Sequence, residues 1–530
     1  MQWYINAVFY ELYLRAFADS NADGHGDFAG LRQRLDYLEW LGVDCIWLLP
    51  IYPSPLRDDG YDIGSFYGIH PDYGFLEDFR MTVDEIHRRG MRIITDLVVN
   101  HTSDQHPWFQ EARRSKDSPM RDFYVWSDTD DRYADARIIF VDTETSNWTF
   151  DPVTSQYYWH RFFSHQPDLN YDNPKVRQAM LDVVRFWLDM GIDGFRVDAV
   201  PYLYEREGTS CENLPETHDF LKELRHFVDT HYPGRLLLAE ANQWPQELLD
   251  YFGAGDEFHM CFHFPVMPRL YMALARQDRS SVVQILDDTP AIPEGCQWAV
   301  FLRNHDELTL EMVTPEDRDF MWQTYAADTH YRLNLGIRRR LAPLMDGDRR
   351  KIELMNSMLF TLPGAPVLYY GDEIGMGDDV TLPDRNGVRT PLQWIDGPGA
   401  GFSTAPALYS PVIGDAVYGY HQVNVQAQQA DSTSLLHAVR RMIFARKNLP
   451  VLARGSLEWL HDLPLQTLCF WRRSAEGAVL ALHNLSDQPL DIPLEPGIVF
   501  SDALYPDVGP VSGSVRLEAY GCRWLLPEAG

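Results

Sequence analysis

A recurring junction constrains the fold of this chain more than any other feature. An amphipathic stretch ends near a glycine and a short β-rich run follows, as in LDYLEWLGVDCIWLLP, VDEIHRRGMRIITDLVVNH and VVRFWLDMGIDGFRVDAV. The glycines Gly42, Gly90 and Gly191 stand where a left-handed helix cap needs a residue without Cβ. Further strand-like runs lie at 8–14, 236–241, 261–265, 298–306 and 366–373. Eight such strands separated by helices predict an α/β fold, a (β/α)8 TIM barrel whose chemistry lies at the C-terminal strand ends.

Two segments interrupt this rhythm, and a third follows it. Residues 102–172 are rich in Asp, Trp, Tyr and Ser without helical periodicity, which predicts an inserted subdomain B after strand three. Residues 374–425 are rich in Gly, Pro and Asp and predict a loop insertion over the same barrel end. The barrel therefore comprises 1–101 and 173–450. Alternating runs in 451–530, split by turn residues, predict a C-terminal antiparallel β-sandwich domain.

Charge and composition exclude several classes of partner. Lys plus Arg is 46 and Asp plus Glu is 77, giving a net charge of −31. This balance argues against nucleic-acid binding and against attachment to an anionic membrane. No apolar run approaches the roughly 18 residues of a membrane span, and the first residues lack the features of a signal peptide. The six cysteines are scattered without a CxxC pair, which favours reduced core thiols in a cytoplasmic protein over disulfides.

Three carboxylates lie at the ends of three predicted strands: Asp198, Glu240 and Asp306. Any one alone is as well explained by a helix cap or a structural ion pair, but three at one barrel end favour a common site. Glycoside chemistry needs two facing carboxyl groups, one ionised to attack the anomeric carbon and one protonated to serve the leaving oxygen. Arg196 would hold Asp198 ionised, and the leucines before Glu240 suit a desolvated acid.

Four segments resemble the motif blocks of the α-amylase superfamily, glycoside hydrolase family thirteen, and occur in its order. They are DLVVNH at 96–101, GFRVDAV at 194–200, AEAN at 239–242 and FLRNHD at 301–306. Further segments across the chain, among them LRDDGYDI, NLGIRRRLAPL and DRNGVRTPLQW, are similar to the trehalose synthases (maltose α-D-glucosyltransferases) of this superfamily.

The resemblance implies an intramolecular transglucosidase, an isomerase that interconverts maltose and trehalose. The mechanism would be a retaining double displacement through a covalent glucosyl-enzyme intermediate, with minor hydrolysis to glucose. The alternative is an α-glucosidase with the same carboxylates that hydrolyses maltose or related oligosaccharides. A catalytically inactive member acting as a binding subunit would be expected to lack one of the three carboxylates, and all three are present.

The resemblance also implies a role for each site residue. Asp198 would be the nucleophile, Glu240 the acid/base, and Asp306 the stabiliser of the oxocarbenium-like transition state. The substrate-binding residues would comprise Arg196 and four positions around the non-reducing glucose: Asp62, His101, His305 and Arg389, the last paired with Asp62. Each histidine could instead be a hydrogen-bonded core residue. Four further residues of the motifs would close the acceptor side against water: Tyr202, Asn242, Glu307 and Glu311. On a helix, Glu307 and Glu311 would share a face, and a solvated acidic face is the alternative.

Two sets of oxygen ligands predict structural Ca²⁺, with no organic cofactor. The segment DSNADGHGDF offers oxygen ligands at alternate positions, namely Asp19, Asn21, Asp23 and Asp27. It is not a full EF-hand, because Gly30 stands where an EF-hand has Glu. The alternative is a solvated turn without an ion. The resemblance implies a second ion held by five residues, two of them through backbone carbonyls: Asn100, Asp168, Tyr202, Leu203 and Glu205. The Tyr202 side chain would then remain available to the pocket. We expect a homo-oligomer acting on small-molecule sugars.

Overall fold

A closed parallel barrel of eight strands forms the centre of the computed structural model, which describes residues 2–528. In chain order the strands are Phe9–Leu12, Cys45–Leu48, Arg92–Val98, Gly194–Asp198, Leu236–Ala239, Met260–Phe262, Gln297–Phe301 and Ala365–Tyr369. Neighbours in the barrel are neighbours in the chain, and the first strand closes on the last with Phe9 opposite Val367. Each predicted strand-like run supplies one strand, so the predicted barrel is confirmed.

At least one α-helix separates each pair of consecutive barrel strands, and three more follow the last strand. They are Leu14–Phe17, Phe28–Leu41, Leu76–Arg88, Pro107–Ala112, Pro174–Asp189, Pro215–His231, Pro245–Leu248, Val266–Arg276, Ser280–Asp287, Pro315–Tyr325, Leu341–Leu344, Arg349–Thr361, Val425–Ala430, Leu435–Lys447 and Val451–Arg454. The cap glycines Gly42, Gly90 and Gly191 have φ of 98°, 75° and 102°, the left-handed conformation that their positions predicted. No helix within residues 2–528 has both the length and the apolar character needed to cross a bilayer.

The segment between the third and fourth barrel strands carries its own small antiparallel sheet. Its strands are Trp126–Ser127, Trp148–Asp151 and Gln156–Trp159. Tyr133, Trp148 and Trp159 pack together in a buried cluster separate from the barrel core. A second small sheet after the seventh barrel strand comprises Leu308–Thr309, Arg332–Leu333 and Gly336–Ile337. The subdomain and this sheet both lie beyond C-terminal ends of barrel strands, where the site is expected.

The C-terminal part of the chain forms two antiparallel sheets with apolar residues between them, confirming the predicted sandwich. The larger sheet contains Ser456–Trp459, Thr467–Ser474, Gly477–Asn484, Cys522–Pro527 and Phe500–Asp502, and the smaller contains Leu490–Pro493 and Ser514–Leu517. All six cysteines are unpaired, and only Cys522 is not fully buried. The numerical domain boundaries given above stay predictions.

Candidate active site

A cavity of about 130 Å³ lies at the C-terminal end of the barrel. The structure brings nine of the predicted residues to its wall: Asp198, Glu240, Asp306, His101, His305, Tyr202, Asn242, Glu307 and Glu311. They come from different strand ends and loops, so only the closed barrel makes them neighbours. Arg196 and Arg389 lie just behind this wall and contact its carboxylates.

One buried guanidinium joins three carboxyl groups. Arg196 Nη1 lies 2.5 Å from both Asp96 Oδ1 and Asp198 Oδ1, and its Nη2 lies 2.5 Å from Glu240 Oε1. Arg196 and Asp198 are two residues apart on one strand, so their side chains share its face. The parallel register places Asp96 opposite Arg196 on the third strand and Leu238 opposite it on the fifth. Glu240 begins two residues beyond Leu238 and reaches the same guanidinium.

The surroundings of Asp198 and Glu240 give these two facing acids different pKa values. Burial raises the pKa of Asp198 to about 6, although Arg196 opposes the shift. Burial raises the pKa of Glu240 further, to about 8, and the negative charges of Asp198 and Asp306 add to it. The Ala199 N–H donates to Glu240 Oε2 over 3.0 Å and fixes its carboxyl group. Near neutral pH the pair therefore favours an ionised Asp198 beside a protonated Glu240, the states that a retaining mechanism uses.

Asp306 stays ionised because cationic and hydrogen-bonding groups surround it. Burial acts to raise its pKa, but His305, Arg385 and Arg389 outweigh burial and hold the pKa well below the usual range. Arg385 Nη1 and Arg389 Nη2 lie 2.8 and 3.0 Å from Asp306 Oδ1, and His305 Nε2 lies 3.2 Å from Oδ2. This carboxylate can oppose positive charge on a sugar ring without first losing a proton.

His305 is fixed by partners that sequence analysis did not identify. Tyr61 stacks on the imidazole with ring centroids 5.2 Å apart, and its hydroxyl lies 2.8 Å from Nε2. Glu11, on the first strand and fully buried, contacts Nδ1 at 2.5 Å. The only sequence signal for Glu11 was a charged residue in an otherwise apolar predicted strand.

The prediction that Arg389 pairs with Asp62 was wrong. Asp62 is fully buried, and its carboxylate accepts hydrogen bonds from Ser54 Oγ and from the backbone N–H groups of Arg57 and Asp58 at 2.8 to 3.2 Å. These bonds hold a tight loop behind the cavity wall, so Asp62 does not line the cavity. Arg389 instead contacts Asp59 at 2.6 Å.

The neighbouring Asp58 takes the position facing the cavity. It lines the wall and contacts Arg385 Nη2 at 3.0 Å. Sequence analysis missed both residues, although Arg385 lies four residues before Arg389 in the same motif. Burial raises the pKa of Asp58 to about 7, with Arg385 and Arg389 opposing the shift.

A contact from the inserted subdomain reaches the cavity wall at Glu311. Arg137, another residue missed in the sequence, contacts Glu311 Oε2 at 3.1 Å and Glu212 Oε1 at 2.9 Å. Asn242 Nδ2 donates to the same oxygen of Glu311 over 3.2 Å. The segment from Glu307 to Glu311 contains a short strand rather than a helix, so the two glutamates do not share a helix face. Each nevertheless lines the cavity.

The two predicted calcium sets differ in how their oxygens are used. Asp19, Asn21 and Asp23 each accept the N–H two residues ahead, and Asp27 caps the helix Phe28–Leu41. Calcium at this loop stays a prediction. In the second set, Asn100 Oδ1, Asp168 Oδ2 and Glu205 Oε1 are buried and contact no donor among residues 2–528.

Buried oxygens without donors fit an oxygen-ligated cation, so this second set has the chemistry of a Ca²⁺ site. Tyr202 and Leu203 complete the predicted set and are also buried. Within the described part of the chain, no group of three or more His, Cys, Asp or Glu side chains is arranged to hold a metal. A calcium site here therefore depends on mixed ligands, two carboxylates together with amide and carbonyl oxygens.

A family model described as alpha amylase, catalytic domain, matches residues 11–455. The chain belongs to the alpha-amylase family. Among curated relatives of this family, a trehalose synthase/amylase of Mycobacterium tuberculosis is 57% identical over 540 residues, covering 99% of this chain and 90% of the relative. A probable alpha-glucosidase of Rhizobium meliloti is 32% identical, covering 92% of this chain and 90% of the relative. The solved trehalulose synthase of Pseudomonas mesoacidophila superposes with a TM-score of 0.82 at 28% identity, covering 99% of both chains.

The raised pKa values of Asp198 and Glu240 predict that the free energy of unfolding falls as pH rises. Between about pH 4, near the ordinary pKa of a carboxyl group, and about pH 8, the folded state retains protons that the unfolded state releases. Glu240→Gln should flatten this fall by on the order of a few kcal/mol. Urea unfolding at several pH values measures the effect. Glu495→Gln, an exposed change in the C-terminal domain, is the control and should leave the slope unchanged. An equal slope in Glu240→Gln and the wild type would contradict the assignment.

Proposed function

We propose that this alpha-amylase family enzyme interconverts maltose and trehalose. The observation that carries the proposal is a cavity that brings together three catalytic-type carboxylates and whose wall residue Glu311 is held by Arg137 of the inserted subdomain. The 57% identity to a trehalose synthase over nearly the whole chain supports the same reaction. The alpha-glucosidase alternative has a more distant relative, at 32% identity.

The proposed reaction follows from the different pKa values of Asp198 and Glu240. The ionised Asp198 attacks the anomeric carbon of the non-reducing glucose while Glu240 gives its proton to the glycosidic oxygen, which breaks the bond and releases glucose. Asp306 opposes the positive charge that develops on the ring. The released glucose turns, and Glu240 removes the proton of its anomeric hydroxyl group as that oxygen attacks the glucosyl carbon. Asp198 then leaves, and the product is trehalose.

Control of water separates isomerisation from hydrolysis, because water attacking the same intermediate yields a second glucose. The Arg137–Glu311 contact joins the inserted subdomain to the loop after the seventh strand, across the acceptor side. Arg137 Nη2 also donates to the Tyr202 hydroxyl over 3.4 Å. These contacts support a site that retains the released sugar while it turns.

Incubation of the pure protein with maltose, followed by NMR, tests the proposal. We expect trehalose as the main product with a little free glucose, and glucose alone would refute the isomerase. Asp198→Asn should abolish both products because the amide cannot form the glucosyl ester. A variant with near-native turnover would show that the nucleophile is a different residue.

The closing contact predicts a change in product partition. Arg137→Ala should raise the ratio of glucose to trehalose about tenfold, since losing a charge-assisted hydrogen bond of roughly 1.5 kcal/mol opens the acceptor side. The control is Arg132→Ala, which removes an exposed arginine of the same subdomain that pairs with Glu207. Equal partition in the two variants would argue against closure by Arg137.

We further propose that Ca²⁺ binds Asn100, Asp168 and Glu205, with the Tyr202 and Leu203 carbonyls as additional ligands. Burial raises the pKa of Asp168 and of Glu205 well above the usual range, and each buried carboxylate lacks a donor for one oxygen. A divalent cation would supply the missing charge. The N-terminal set of Asp19, Asn21, Asp23 and Asp27 is the second candidate position.

Removal of the cation should destabilise the protein. We expect a chelator to lower the melting temperature and added Ca²⁺ to restore it, while Asp168→Asn should lose this response to Ca²⁺. Differential scanning calorimetry with and without the chelator measures both. Asp172→Asn, an exposed change close in sequence, is the control. An unchanged response in Asp168→Asn would place the ion elsewhere.

The remaining expectations concern the cellular setting. The six unpaired thiols support a reducing compartment such as the cytoplasm. We propose that the enzyme works there as a homo-oligomer on small sugars.

A further inference from the structure

The motif NLGIRRR contains a residue for which the reaction above has no role. Its first residue, Asn334, lies in the turn between the short strands Arg332–Leu333 and Gly336–Ile337. The backbone of Asn334 is left-handed, with φ of 49°, a conformation that asparagine tolerates better than most residues. Asn334 also lines the cavity, as does Glu307.

The turn that contains Asn334 packs closely against Glu307. Gly336 pairs with Thr309 in the small sheet. A Cβ at position 336 would lie 2.6 Å from Glu307 Cγ and 2.7 Å from the Leu308 carbonyl oxygen, so only glycine fits. The absence of a side chain there lets the hairpin press against the segment that carries Glu307.

Two hydrogen bonds then fix Asn334. Its Nδ2 donates to Glu307 Oε1 over 3.0 Å, and its backbone N–H donates to Asp142 Oδ2 of the inserted subdomain over 2.7 Å. Because a carboxylate can only accept, the amide nitrogen must face Glu307. This leaves Glu307 Oε2 and Asn334 Oδ1 buried, and neither atom has a donor within residues 2–528.

We propose that Asn334 is a positioning residue that fixes Glu307 in the cavity wall and thereby helps to retain the released glucose while it turns. The proposal rests on the isomerase function above and deepens it by naming a residue that determines the partition between isomerisation and hydrolysis.

The side-chain amide of Asn334 holds one oxygen of Glu307, and both residues line the cavity. Without the amide, the Glu307 carboxyl group would be free to rotate and water could enter beside the glucosyl intermediate. The backbone bond to Asp142 ties the same turn to the inserted subdomain, which also carries Arg137.

The test separates the acceptor step from formation of the glucosyl intermediate. Asn334→Gly removes the amide and keeps the left-handed backbone and the N–H bond to Asp142. With maltose, we expect the ratio of glucose to trehalose to rise about three- to tenfold, the effect of losing about one hydrogen bond. With p-nitrophenyl α-glucoside, which carries no second sugar, kcat/KM for release of nitrophenol should stay within about twofold.

A second variant and a control complete the design. Asn334→Asp keeps the side-chain size but places a carboxylate against Glu307, so its partition should shift at least as far as that of Asn334→Gly. Asp346→Gly is the control, an exposed left-handed position away from the cavity. Unchanged partition, or equal losses on both substrates, would overturn the role of Asn334. A wild-type enzyme that makes no trehalose would instead overturn the proposed function.

Discussion

The contact of Arg196 with three buried carboxyl groups is the interaction on which the site depends. Taking carboxylates out of water is costly unless cations or donors compensate, and here one guanidinium serves Asp96, Asp198 and Glu240. Burial raises the pKa of all three acids, and one positive charge is too little to reverse the rise, so the pKa is about 6 for Asp96 and for Asp198 and about 8 for Glu240. The planar fork of arginine is needed, because it presents separate donors to carboxyl groups on three adjacent strands.

The contacts proposed to retain the released sugar involve residues outside the barrel strands. Arg137 and Asp142, both in the inserted subdomain, contact Glu311 and the Asn334 backbone on the far side of the cavity. In the proposed mechanism, groups at the barrel strand ends break the glycosidic bond, whereas contacts between the barrel loops and the inserted subdomain retain the released sugar. The same three carboxylates can therefore serve hydrolases and isomerases within one family.

Much of the fold was predictable because short stretches of sequence determine its strands and helices. Apolar runs predicted all eight strands, three of them after glycine-capped helices, and Asp198 and Glu240 stand where such runs end. Pairings between distant segments were not predictable. Glu11 and His305 are 294 residues apart, and Arg389 reaches Asp59 across 330 residues. The motif around Asp62 predicted a sugar ligand, but the Asp62 carboxylate accepts hydrogen bonds from its own loop instead. The spacing of residues in the sequence does not indicate these bonds.

Buried acceptors without donors connect the sugar site to the proposed cation site. Such atoms cost about 1–3 kcal/mol each unless a ligand satisfies them. One group belongs to residues of the cavity wall, including Glu307 and Asn334, and the other includes Asn100. Asn100 precedes His101, which lines the cavity, and the Tyr202 side chain lines it while the Tyr202 carbonyl belongs to the predicted cation ligands. A cation at Asn100 would therefore fix two residues of the cavity wall, and it would then link the stability of the protein to sugar binding through the same short segments of backbone.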